Sequence, residues 1–94
     1  MPLTIKFIGA LRHISGKTIL TLDFREGLLI RDIVAQIGQV IPELKLTLCD
    51  NDLNDARSNS LILVNGLEIS ILNGYETNVN DGDEIVFVPV VHGG

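Results

Sequence analysis

The sequence predicts an α+β domain in which a mixed sheet of four to five strands carries one main helix on one face. Three observations lead there. Apolar residues alternate with period two in the first 24 residues, and strand-forming apolar runs return toward the end. A single stretch between residues 30 and 41 switches to helical spacing. The order of strand pair, helix and further strands favours a right-handed crossover, which brings a late strand back parallel to the first.

The first strand is read in "LTIKFIGA", with Leu3, Ile5 and Phe7 on one side and Thr4, Lys6 and Ile8 on the other. "LRHISGK" supplies turn chemistry at Ser15 and Gly16, and "TILTLDF" alternates again with Leu20, Leu22 and Phe24 on one face. The two read as an antiparallel hairpin joined by a turn. Beyond "REG", Ile30, Ile33, Val34, Ile37 and Ile41 fall on one helical stripe, opposite Arg31, Asp32, Gln36 and Gln39. Pro42 ends this helix and Gly38 weakens its last turn. No Ser or Thr stands at its start, so Asp32 is the residue expected to serve the free first-turn amides.

From Lys45 to Ser60 the chain is rich in Asn, Asp and Ser without sustained period and reads as a surface connection. "LILVNG" is a short strand closed by Asn65 and Gly66, a pair suited to a turn with positive φ. "LEISIL" reads as a second strand running to Asn73 and Gly74. After the acidic turn at Asp81, Gly82 and Asp83, "EIVFVPVV" is the most strand-like run of the chain. Being apolar on both sides, Ile85 to Val88 is the expected central strand, parallel to the first.

One helix covers one face of a sheet, so some of Ile85, Val86, Phe87 and Val88 must point away from it. Uncovered apolar sheet marks an interaction surface, unless the polar connection folds across it. Phe87, Val88, Val86 and Phe7 are accordingly the candidate partner-interface residues.

The 94 residues form a single expected domain, residues 1–94, with a flexible tail from about residue 90. No apolar run reaches the length that spans a bilayer, and "MPLTIKF" lacks a signal pattern, so a cytoplasmic protein is expected. The net charge is −5 and the seven Lys and Arg residues are scattered, which argues against direct nucleic-acid binding. The one cysteine, Cys49, excludes an internal disulfide and a thiol-rich metal cage. A calcium loop counted from Asp50 would need Gly and Glu where Asp55 and Leu61 stand. Neither a metal site nor a bound cofactor is expected. No Ser or Cys has a base and an acid at convincing spacing, so nucleophilic catalysis is not indicated either.

The remaining feature is the ending, "PVVHGG". Five residues after Pro89 reach roughly 17 Å when extended, enough for a terminal carboxylate to enter a partner's active site. Two glycines keep that end narrow and leave the last carbonyl unshielded. A carboxylate is a poor acyl electrophile, so it needs external activation.

Along its whole length the chain resembles the ubiquitin-like sulfur carriers and modifiers of β-grasp fold: MoaD, ThiS, the ubiquitin-related modifier and the archaeal small modifiers. "KFIGALRHISGK" is similar to their first strand and hairpin turn, "EGLLIRDIVAQI" to their helix start, "ILVNG" to their third strand and "NDGDEIVFVPVVHGG" to their terminal signature. The resemblance implies that Gly94 is the residue adenylated by an E1-like adenylyltransferase, which consumes ATP, and is then converted to a thiocarboxylate or joined to target-protein lysines. Gly93 and His92 would serve tail recognition. Implied partners are that activating enzyme and, further on, a MoaE-like subunit, a tRNA-thiolation enzyme or modified proteins. The chain itself would be a carrier rather than an enzyme. Leu29 stands where the family often has Thr, and His92 departs from the MoaD ending toward that of the ubiquitin-related modifier. Two alternatives remain at this stage: a MoaD-type synthase subunit only, and a binding module that never uses its tail.

Overall fold

The structure is a computed structural model and describes residues 1–44 and 60–89. Five strands form one sheet: β1 (Leu3–Phe7), β2 (Ile19–Leu22), β3 (Ser60–Val64), β4 (Leu67–Glu68) and β5 (Glu84–Pro89). Their spatial order is β2-β1-β5-β3-β4. β5 lies in the centre, parallel to β1 with Ile5 beside Ile85 and Phe7 beside Phe87. It is antiparallel to β3, with Ile62 opposite Phe87 and Leu61 opposite Val88. β1 and β2 pair antiparallel from Leu3↔Leu22 to Lys6↔Ile19. The expected mixed sheet with a parallel central strand is therefore present, in the β-grasp arrangement.

The main helix, α2 (Ile30–Val40), follows the apolar stripe: Ile30, Ile33, Val34 and Ile37 are buried, and so is Ile41 just beyond its end. At its start the Leu29 N–H donates to the Asp32 carboxylate at 2.9 Å, while the Asp32 N–H donates to the Leu29 carbonyl at 3.0 Å. Asp32 thus supplies half of a capping box, and the Leu29 side chain, having no acceptor, supplies none. The helix start is also tied down by Ile30 N–H to Thr77 carbonyl and Val79 N–H to Leu28 carbonyl. Its last residue, Val40, lies two before Pro42, where a short 3-10 turn, Pro42–Leu44, buries Leu44.

Two expectations need correction. The connection between β1 and β2 is a six-residue helix, α1 (Ala10–Ser15), which buries Leu11 and ends at Gly16, whose N–H donates to the Arg12 carbonyl. The strand expected over "LEISIL" is limited to Leu67–Glu68. There the Glu68 carboxylate accepts from the Ser70 N–H and turns the chain into 3-10 turns at Ile69–Ile71 and Gly74–Glu76. This local acceptor competes with the sheet ladder, and burial of Ile69 fixes the turn.

One core lies between α2 and a single face of the sheet. Leu3, Ile5, Phe7, Ile62, Val64, Ile85 and Phe87 from the strands meet Ile30, Ile33, Val34 and Ile37 from the helix. The rings of Phe7 and Phe87 stand 5.9 Å apart at 31°, within the range where aromatic pairs add to plain burial.

Candidate functional site

The sheet has a second face, and the same strands build it from the alternate residues. Register places Lys6, Val86 and Leu63 side by side across β1, β5 and β3, with Ile19 beyond Lys6 on β2. The next row holds Leu61 beside Val88. Val86, Val88 and Leu63 are half-buried, while Leu61 is 43% and Ile19 52% exposed. Ile8, immediately after β1, is 44% exposed. The face is thus an aliphatic strip interrupted by one ion pair, Lys6 Nζ to Glu84 Oε2 at 2.8 Å, both side chains substantially exposed.

Of the four residues expected at a partner interface, Val86 and Val88 lie on this open face. Phe7 and Phe87 do not: both are 0% exposed, packed against α2 in the core. The reason is parity. Phe7 follows Leu3 and Ile5 on the helix-facing alternation, and the parallel register puts Phe87 beside it. The expectation missed Leu61 and Leu63, whose strand alternates with the buried Ile62 and Val64. Their parity was the available signal.

The strands set where the tail begins. β1 and β5 run in the same direction, so Pro89, the last described residue, lies at the end of the sheet where β1 passes into α1. The Ile8 N–H donates to the Phe87 carbonyl at 3.1 Å, continuing the ladder to that end. Gly9 then turns with φ 61°, and a Cβ placed on it would lie 3.2 Å from Cγ of Pro89. Only glycine meets both demands, the left-handed backbone and the close approach to the proline ring. Gly94, Gly93 and His92, the residues expected to carry the chemistry and its recognition, lie outside the described residues, as do Cys49 and the connection over residues 45–59.

The opposite end is held by a different device. Asn65 and Gly66 turn β3 into β4 with φ of 50° and 88°. The Asn65 side chain donates from Nδ2 to Asp83 Oδ1 at 2.8 Å and accepts at Oδ1 from the Glu84 N–H at 3.0 Å. The Asn65 N–H donates to the Glu84 carbonyl, and Asp83 Oδ2 accepts from the Asn80 N–H. Asp83 is buried with its acceptors occupied, so this acidic turn locks the start of β5 to the β3 hairpin.

Among the described residues no group of three or more His, Cys, Asp or Glu side chains is placed to hold a metal ion. No helix among them is long and apolar enough to cross a membrane. What the described residues present is an exposed aliphatic sheet face, with the last described residue, Pro89, on the strand that carries Val86 and Val88.

The model of the ThiS family matches residues 5–94. No curated protein matches the chain by sequence. Among solved structures, the chain is similar to small archaeal modifier protein 1 of Methanosarcina acetivorans, at 28% identity and a TM-score of 0.81, over 99% of this chain and 96% of that one. It is similar to Urm1 of Trypanosoma brucei at 27% identity and a TM-score of 0.79, over 99% and 95%. The HVO 2177 protein of Haloferax volcanii superimposes with a TM-score of 0.80 at 24% identity, over 100% and 87%.

Proposed function

As the chain belongs to the ThiS family of ubiquitin-like sulfur carriers and modifiers, we propose that it acts through the carboxylate of Gly94, activated by an E1-like adenylyltransferase. The observation that supports this most is the extent of the family match, which runs through the terminal glycines to residue 94. The fold is compatible with it: the last described strand, β5, is paired with β1 and β3 and ends at Pro89, five residues before Gly94.

The chemistry asked of the partner is acyl activation. A Gly94 carboxylate oxygen attacks the α-phosphorus of ATP and pyrophosphate leaves, forming an acyl adenylate. Hydrosulfide displaces AMP to give the thiocarboxylate; a lysine amine in its place gives an isopeptide bond, AMP and a proton. The carrier contributes no catalytic group to either step. Its body is the handle, and the open face with Val86, Val88, Leu61 and Leu63 is the surface by which the activating enzyme holds it. Gly93 and His92 occupy the channel through which the end is threaded. His92 acts there as a contact rather than a base, since the partner supplies the chemistry.

The test is the intact mass of the chain after incubation with ATP, a sulfide donor and the activating enzyme. The expected gain is that of replacing one oxygen by sulfur, and its absence with a competent enzyme overturns the sulfur branch. Deleting Gly94 abolishes activation while unfolding is unchanged. His92→Ala leaves the adenylation rate unaltered.

Sulfur supply to tRNA thiolation and to a MoaE-like synthase subunit, and conjugation to proteins, are the routes open to the activated end. The similarity to Urm1 and to an archaeal modifier favours carriage together with conjugation over a synthase subunit alone. The open aliphatic face supports one further reading, a non-covalent binding module. It requires that removing Gly93 and Gly94 leave partner binding and cellular function intact.

A further inference from the structure

The described charges are unevenly distributed along the strands. Asp23, Asp81, Asp83 and Glu84 gather at the end where β1 and β5 begin. At the other end, where β5 delivers the tail, the described basic side chains are Arg12, His13 and Lys17. Together with Gly16 and Thr18 they line an open groove of about 440 Å³. Lys6, Arg31 and the N-terminus each have a carboxylate partner, to Glu84, Glu76 and Asp81; no ion pair among the described residues involves Arg12, Lys17 or Arg25, and of these only Arg12 and Lys17 line one groove.

The backbone that carries these side chains is held by hydrogen bonds. The Gly16 N–H closes α1 onto the Arg12 carbonyl at 2.9 Å. The Ser15 hydroxyl donates to the Lys17 carbonyl at 2.9 Å and accepts from the Lys17 N–H at 3.0 Å, which curls Lys17 back beside the helix. The Phe7 N–H donates to the Thr18 carbonyl at 3.0 Å, tying the far wall to β1. Cations in the last turn of a helix favour its carbonyl end, which accounts for Arg12 and His13. Lys17 lies beyond the cap, where helix stability does not call for it.

We propose that this groove docks a carboxylate-bearing segment of the protein that activates the tail, an inference that rests on the function proposed above. Charge complementarity selects the occupant. A chain of net charge −5 repels a polyanion such as RNA at long range. A short acidic segment carried on a protein of mixed surface charge is repelled less than a polyanion and gains pairs with Arg12 and Lys17 at the interface rim. Because the groove and Pro89 share one end of the sheet, with Gly9 packed on the proline, a contact there also orients the departing tail. The groove is a positioning site and touches no reacting atom.

The experiment has two arms. Titration of the isotope-labelled full chain with hexaglutamate at low salt shifts the amides of residues 12–18, and the Arg12→Ala/Lys17→Ala variant loses those shifts. Shifts that persist in the variant, or tighter saturation of the same amides by a hexauridylate, overturn the proposal, the latter in favour of nucleic acid. In the second arm, adenylation is followed by ATP–pyrophosphate exchange. The double variant raises KM for the carrier roughly five- to tenfold with kcat unchanged, and added salt narrows the difference from the unaltered chain. Exchange with an unchanged KM overturns the docking site and leaves the carrier function standing. No exchange with the unaltered chain overturns the carrier function, and the docking site with it.

Discussion

The two faces of the sheet are built from alternate residues of the same strands, yet they differ in almost every respect. Ile5, Phe7, Ile62, Ile85 and Phe87 are sealed beneath α2, whereas Lys6, Leu61, Leu63, Val86 and Val88 remain at least partly in water. Adjacent positions along one strand, such as Phe87 and Val88, therefore have separate tasks. The first holds the fold and the second is available to a partner. Position parity, more than hydrophobicity, decides which task an apolar residue performs.

The comparison breaks first at Phe87. Phe87→Ala removes a fully buried ring that touches Phe7 and is expected to destabilise by about 3–5 kcal/mol, measured by urea unfolding. Against the about 5–15 kcal/mol total stability of a typical domain, this leaves a fold at the edge of unfolding. A loss below about 1 kcal/mol would show that the ring is not in the core.

Asn65 tests whether the two faces depend on one turn. Asn65→Ala removes both hydrogen bonds to the Asp83–Glu84 segment and leaves alanine at positive φ, with an expected loss of roughly 2–3 kcal/mol. Asn65→Gly relieves the backbone part and recovers roughly 1 kcal/mol of that. Thermal unfolding of both variants separates the two contributions; equal losses would remove backbone strain from the account.

The open face gives the reverse pattern. Val88→Ser changes stability by about 1 kcal/mol or less, since the side chain is only half-buried. If the proposed activating enzyme holds this face, Val88→Ser is expected to weaken its binding in a titration with purified proteins. Unchanged binding for Val88→Ser and Leu61→Ser together would remove this face from the interface.

The smallest effect belongs to the ion pair on that face. A double-mutant cycle on Lys6→Ala and Glu84→Ala is expected to give about 0.2–1 kcal/mol at low salt, falling as salt is added. A coupling that ignores salt would mean a hydrogen-bonded contact shielded from solvent.

Much of this architecture was legible in the sequence because its signals are periodic. Leu3, Ile5 and Phe7 mark one face of β1, the isoleucine stripe marks α2, and Asn65–Gly66 marks its turn. β5 was placed correctly beside β1, yet "IVFV" has no polar alternation, so its faces were not distinguished. That knowledge resides in the register: once Ile85 stands beside Ile5, Phe87 must follow Phe7 inward. α1 escaped notice because six residues give less than two turns of periodicity, and Ser15–Gly16 imitates a simple turn. β4 was expected, but over all of "LEISIL"; its early end escaped because Glu68 caps its own downstream turn, a contact no hydropathy pattern encodes. The candidate tail, by contrast, was visible only in sequence, through its resemblance to a family.

The central position of β5 also has a mechanical meaning. Hydrogen-bonded on one side to β1 and on the other to β3, it cannot be peeled from an edge by tension on residues 90–94. A pull along the strand loads both ladders in shear, so the bonds resist together instead of opening one after another. An enzyme that grips the end and draws it into its active site can apply traction without unravelling the domain behind it. For a carrier acting through its terminus, as proposed above, the anchor is as much a requirement as the hook.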